Sequence, residues 1–200
     1  MWMDNGISNW ILENISIYEG LNKILKIIFQ INGFGLLWLV AILVFMYLNY
    51  KKTKKLDLSY IYHIIPVLIG ICVVVFIIAP IFNRPHPYDA IQGFIDIKDS
   101  LSLSSKITSS LPSISAFTSV GYTFVLVNKE KKHKTYYFIA CFVMCSIELI
   151  LGISYLSDLL FGAGLGLIFA SIGNAIIPAI EKLIKKSKGI LNNEIRSLPF

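Results

Sequence analysis

Charge is scarce in this chain. Lys, Arg, Asp and Glu together supply 15% of its residues and apolar types 56%, whereas soluble domains carry nearer ~25% charge. An ordinary globular domain with a solvated polar face is excluded. The chain also lacks a disulfide framework: Cys72, Cys141 and Cys145 all lie inside apolar runs. An odd number of thiols without ligand spacing fits small apolar packing residues, with no metal and no cofactor expected. There is no internal repeat, and no low-complexity segment beyond lysine clusters and a serine-rich stretch at 100–115. Residues 1–33 mix Asp4, Glu13, Glu19, Lys23 and Lys26 among apolar residues. Without a basic start, a short apolar core and a small-residue cleavage site, they are not expected to be a cleavable signal. Histidine is rare too: only His63, His86 and His133 are present.

What is present is a series of apolar runs, several of roughly 17–22 residues, the length that crosses a ~30 Å hydrocarbon core. The expected fold is all-α: an integral membrane helix bundle of five to six spans. Residues 1–32 form an N-terminal amphipathic, interfacial segment of one or two helices, or contribute the tail end of a first span. Residues 33–181 form one transmembrane bundle, with spans at 33–50, 60–82, 112–128, 135–151 and 158–180. Residues 182–200 form a basic cytoplasmic tail. Pro66 and Pro80 are expected to kink the ends of the second span. Residues 91–101 suit a short interfacial helix in the polar loop that follows. The third span is rich in hydroxyls, with Ser113, Ser115, Thr118, Ser119 and Thr123. The fifth begins with Gly162, Ala163, Gly164 and Gly166, whose Gly-x-x-x-Gly lets a neighbouring helix approach closely.

The lysines set an orientation. They cluster at 51–55, 129–134 and 182–188, and lysine-rich loops beside spans lie on the cytoplasmic side, where they can also meet anionic headgroups. Nucleic acid is not an expected partner. With five alternating spans, the connections at 83–111 and 152–158 fall on the opposite, extracytoplasmic face. Arg84, His86, Ser113, Ser115, Glu148, Ser154 and Asp158 therefore gather there. A carboxylate within a span needs a partner; Arg84 is the nearest candidate for Glu148. Asp158, with Ser157, also suits the cap of the fifth helix. His86 stands beside two prolines in a loop.

These residues carry a resemblance to the type 2 phosphatidic acid phosphatase family, the membrane relatives of vanadium haloperoxidases. It spans roughly residues 20–180. Arg84-Pro85 resembles the end of that family's Lys-x6-Arg-Pro motif, with Ile77 in place of the lysine. Leu111-Pro112-Ser113 resembles the start of Pro-Ser-Gly-His, with Ile114 and Ser115 for the glycine and histidine. Leu151-Gly152, Asp158 and Gly162 fit the frame of the third motif. There Ile147 and Glu148 replace serine and arginine, and Ser154 replaces the histidine. The resemblance implies a phosphate site in which Ser154 occupies the nucleophile position, Ser115 the acid position and Asp158 the residual orienter. Arg84, Ser113 and His86 would line the substrate. Histidine suits both lost roles because it titrates near neutrality; serine needs a base to attack and is a poor acid.

Two functions follow as expectations. One is a catalytically degenerate member that binds a lipid, a lipid phosphate or a polyprenyl carrier, or scaffolds a partner at the outer face. The other is an active phosphatase for a lipid phosphate or polyprenyl diphosphate with a variant site. The short loops suit a prokaryotic plasma membrane.

Overall fold

The computed structural model describes residues 2–15, 19–32, 35–55, 57, 59–91 and 109–196, and all regular structure among them is helical. In chain order the elements are α1 (Trp2–Asn14), α2 (Glu19–Asn32), α3 (Leu36–Thr53), α4 (Ser59–Val73) and a π-helical turn (Val74–Ile78). Then come α5 (Ala79–Phe82), α6 (Pro87–Ala90), α7 (Ile114–Lys129), a 3-10 turn (Lys131–His133), α8 (Lys134–Ile150) and α9 (Leu156–Arg196).

Three segments are long and apolar enough to cross a membrane: Leu36–Thr53, Ser59–Ala90 and Leu156–Ile176. Large apolar side chains face outward from the bundle. Phe76 is 76% exposed and Ile81 74%, and Phe142 on the shorter α8 is 73% exposed. Apolar surface of this extent is unstable against water and matches hydrocarbon.

Helix α7 occupies the centre, packed against α3, α4, α8 and α9. That placement follows from its composition. Its hydroxyls would be unsatisfied against lipid, so this is the helix the others enclose. Ser113, Ser115, Thr118, Ser119 and Thr123 are all buried. Trp38 on α3 reaches in and donates its indole N–H to Ser119 Oγ at 3.0 Å. Helix α9 lies directly on α7 through the Gly-x-x-x-Gly. A Cβ on Gly162 would overlap the Ser113 carbonyl oxygen, and one on Gly166 the Phe117 carbonyl oxygen. Side chains are excluded at both positions because backbone meets backbone there.

The apolar, span-length part of α9 is Leu156–Ile176, close to the expected fifth span, and the helix itself continues unbroken past Pro178 to Arg196. An internal proline deletes one backbone hydrogen bond, and the lysine-, leucine- and isoleucine-rich sequence beyond it favours helix. Of the two prolines after Arg84, Pro85 lies in the non-helical stretch 83–86, and Pro87 opens α6 at its first turn, where a missing N–H costs nothing. The N-terminal segment is two helices, one of the expected arrangements, and α2 carries apolar side chains on its outer side. It turns Phe29 and Asn32 inward and leaves Ile24, Ile27 and Ile31 exposed. The interfacial helix expected at 91–101 lies outside the described residues.

Candidate functional site

The segments around Arg84, around Ser113 and at 152–158 meet at one end of the bundle, opposite the lysine-rich turns. Backbone hydrogen bonds tie them together. Ser113 N–H donates to the Asp158 carbonyl at 3.2 Å, Tyr88 N–H to Gly152 at 3.0 Å, and Ser110 N–H to Arg84 at 2.9 Å. Gly152 makes the tight turn between α8 and α9 with φ of 63°, a backbone conformation glycine adopts freely.

The convergent side chains divide into two groups. The first surrounds Glu148, which is 3% exposed near the end of α8. Ser113 donates its hydroxyl to Glu148 Oε2 at 2.7 Å, and Ser154 donates to Oε1 at 2.8 Å. Ser113 does double duty. As the N-cap of α7, its oxygen also accepts from Ala116 N–H at 3.0 Å, a bond that satisfies one of the helix's free donors. Ser115 is buried beside this group with its hydroxyl outside hydrogen-bonding geometry. Glu148 is therefore a carboxyl group enclosed by hydroxyls.

The second group surrounds Arg84, which follows α5 and sits before Pro85. Its Nη1 donates to Asp158 Oδ1 at 2.5 Å and to Ser157 Oγ at 2.8 Å. Its Nη2 donates to Asp4 Oδ2 at 2.9 Å. The guanidinium stacks over the Tyr155 ring, 4.1 Å from the centroid, adding a cation–π contact. Ser109 accepts from Arg84 N–H at 2.7 Å. Asp158, fully buried, uses its other oxygen to accept from Tyr155 N–H at 3.1 Å. That is the return half of a capping box on α9, so the capping role holds. Asp158 also holds Arg84 in place. Asp4 completes the ring: it accepts from Ser157 N–H at 3.3 Å and from Ser157 Oγ at 2.7 Å. Burial disfavours the charged Asp4 carboxylate. Hydrogen bonds from Ser157 and Arg84, together with the guanidinium charge, outweigh it and lower its pKa below the ordinary aspartate value.

The expected Arg84–Glu148 ion pair does not form. Arg84 pairs with Asp4 and Asp158, and Glu148 takes its hydrogen bonds from Ser113 and Ser154. The cause is geometric. Arg84 follows α5 beside the start of α9, within reach of the Asp158 and Asp4 carboxylates. His86 lies in the loop, as expected, and is buried there. Its ring stacks on Tyr88, with centroids 4.8 Å apart, and its Nδ1 lies 2.5 Å from the Ile153 carbonyl. The structure thus brings Ser113, Ser115 and Ser154 together at Glu148, and Arg84 to Asp158, while His86 packs beneath the α8–α9 turn.

Sequence reasoning missed Asp4 and Tyr155, and saw Ser157 only as a cap. No sequence signal marks Asp4, which lies 80 residues from Arg84. An acidic residue early in an N-terminal helix has many roles available.

Chemically, the arrangement offers one cation and several N–H and O–H donors at the head of α9, and a sealed carboxyl–hydroxyl group behind them. No group of three His, Cys, Asp or Glu among the described residues could hold a metal ion. Across family models, curated proteins and solved structures, nothing matches this chain.

Proposed function

We propose that this chain is a five-span membrane protein of the type 2 phosphatidic acid phosphatase architecture that binds a phosphate-bearing lipid headgroup at Arg84 without hydrolysing it. The lysine-rich turns face the cytoplasm in this reading, as charge asymmetry favours, and Arg84 faces the outer side. Helices α7 and α8, with 16 and 17 residues, complete the five spans.

One observation carries the non-hydrolytic part. Ser154, at the position the resemblance gives the nucleophile, is 2% exposed and donates its hydroxyl hydrogen bond to the buried Glu148. A hydroxyl sealed in this way has no approach to a phosphorus atom, and an attacking group must come within ~3–3.5 Å of it in line. Glu148 also stands where the resembled family carries an arginine. It replaces a charge that would hold phosphate with one that repels it. The binding part rests on Arg84, whose planar fork suits carboxylate and phosphate oxygens alike. Donors at the start of α9 add to it. Arg84 already holds an anionic group there, the Asp4 carboxylate.

Purified protein in detergent, incubated with phosphatidic acid and with a polyprenyl diphosphate, should release no phosphate. A short-chain phosphatidic acid should raise its melting temperature, and Arg84→Gln should abolish the rise. Phosphate release that Ser154→Ala eliminates would establish the other reading, an active site with a Ser154–Glu148 nucleophile–base pair. Absence of both release and binding would leave a scaffold.

A further inference from the structure

The donors at the head of α9 are already occupied, and the occupant belongs to the chain itself. We infer that Asp4 on α1 is an internal competitor for the phosphate seat, so that a headgroup binds only when the first turn of α1 lifts away. This inference rests on the proposed anion-binding role of Arg84 and concerns how that role is controlled.

Four observations support it. First, the donor set is shared. Asp4 takes Arg84 Nη2, Ser157 N–H and Ser157 Oγ, the same donors a phosphate would need at a helix N-terminus beside an arginine. Second, charge makes the two occupants exclusive. With Asp4 seated, one guanidinium faces two carboxylates, Asp4 and Asp158; a phosphate would add further negative charge at contact distance. With Asp4 removed, Arg84 and Asp158 balance, the N–H of Ser157 loses its acceptor, and its hydroxyl keeps only the longer contact to Asp158 Oδ1 at 3.5 Å. Third, the two carboxylates are held differently. Asp158 is fully buried within α9 and fixed by the Tyr155 N–H, whereas Asp4 is partly exposed and held only by polar contacts. Fourth, α1 is held toward its later turns. Its contacts run to α8 and α9, and its buried side chains among the described residues are Ser8 and Ile11, one and two turns beyond Asp4. Raising the first turn leaves those contacts in place.

The test compares wild-type full-length protein with Asp4→Asn, Asp4→Glu and Arg84→Gln. Affinities are measured for a short-chain phosphatidic acid and, separately, for inorganic phosphate. Asp4→Asn should bind about tenfold tighter than wild type, the effect of removing roughly one ion pair's worth of competition. Asp4→Glu, which keeps the charge, should stay near wild type, and Arg84→Gln should bind neither probe. Tighter binding of both probes identifies phosphate itself as the ligand; a gain confined to phosphatidic acid identifies a lipid headgroup. Equal or weaker binding by Asp4→Asn, in protein that melts cooperatively and binds the probe, overturns the competitor role and leaves the anion site standing. Failure of every form, wild type and Asp4→Asn included, to bind either probe overturns the anion site, and the competitor role falls with it.

Discussion

Glu148 and Asp158 lie at the same end of the bundle, both buried and both carboxylic acids, yet they are satisfied in opposite ways. Asp158 faces a guanidinium and a backbone N–H, so its charge is matched by a charge. Glu148 faces two hydroxyls, so it is matched by dipoles alone. The comparison teaches how two buried carboxyl groups can be satisfied side by side. The half with a cation holds carboxylates by charge. The other half closes around its own carboxyl group with hydroxyls.

Removing the cation should have the largest effect. Arg84→Ala leaves Asp158 buried without its partner and should destabilise the protein by about 3 kcal/mol, as breaking a buried pair does; thermal unfolding in detergent measures it. Glu148→Ala should cost nearly as much, about 2–3 kcal/mol, through a cavity and two orphaned hydroxyls. Glu148→Gln sharpens the contrast. It keeps the shape and a hydrogen-bonding head against Ser113 and Ser154, so it should cost less than about 1 kcal/mol. If Arg84→Gln proves as mild as Glu148→Gln, the two halves are not different in kind. Gly162→Ala strikes both halves together by pushing α9 off the Ser113 carbonyl, and should cost about 2 kcal/mol. At the opposite end, Tyr60 donates to Glu130 at 2.8 Å. Tyr60→Phe should cost no more than about 1 kcal/mol, since this pair lies away from both halves.

The smallest effect is a pH dependence. The Asp4 pKa is lowered in the folded chain from an ordinary 3.8. Its contribution is complete above that value and is lost as pH falls through the lower, folded one. Melting temperature measured against pH should therefore drop less steeply below about pH 4 in Asp4→Asn than in wild type.

Much of this architecture was legible in the chain. Apolar runs near span length and the proline, glycine and lysine breaks between them place α3, α4, α7, α8 and the start of α9 closely. The lysine clusters and the count of spans placed Arg84, Ser113, Ser154 and Asp158 at one end, and there they meet. The pairing among them was not legible. Whether Glu148 meets Arg84 or Ser113 depends on how far each helix is rotated about its axis. Rotation is set by packing, here by Gly162 and Gly166 against α7, and spacing along one helix does not encode it. The same holds for His86, whose two proline neighbours suggest a loop while the Tyr88 stack buries it. Asp4 lay beyond reach because its partners, Arg84 and Ser157, lie 80 and 153 residues away along the chain.

The π-helical turn at Val74–Ile78 sets the phase of this end of the molecule. One residue more than an α-helical turn is wound into α4 there, and each residue advances the helix by about 100°. Everything downstream is keyed to that extra step, including the left-handed residue Asn83, with φ of 40°, and the exit toward Arg84. Deleting a single residue from this turn would re-clock the exit by about 100°. The arginine would then point away from α9, although no residue that touches it had changed.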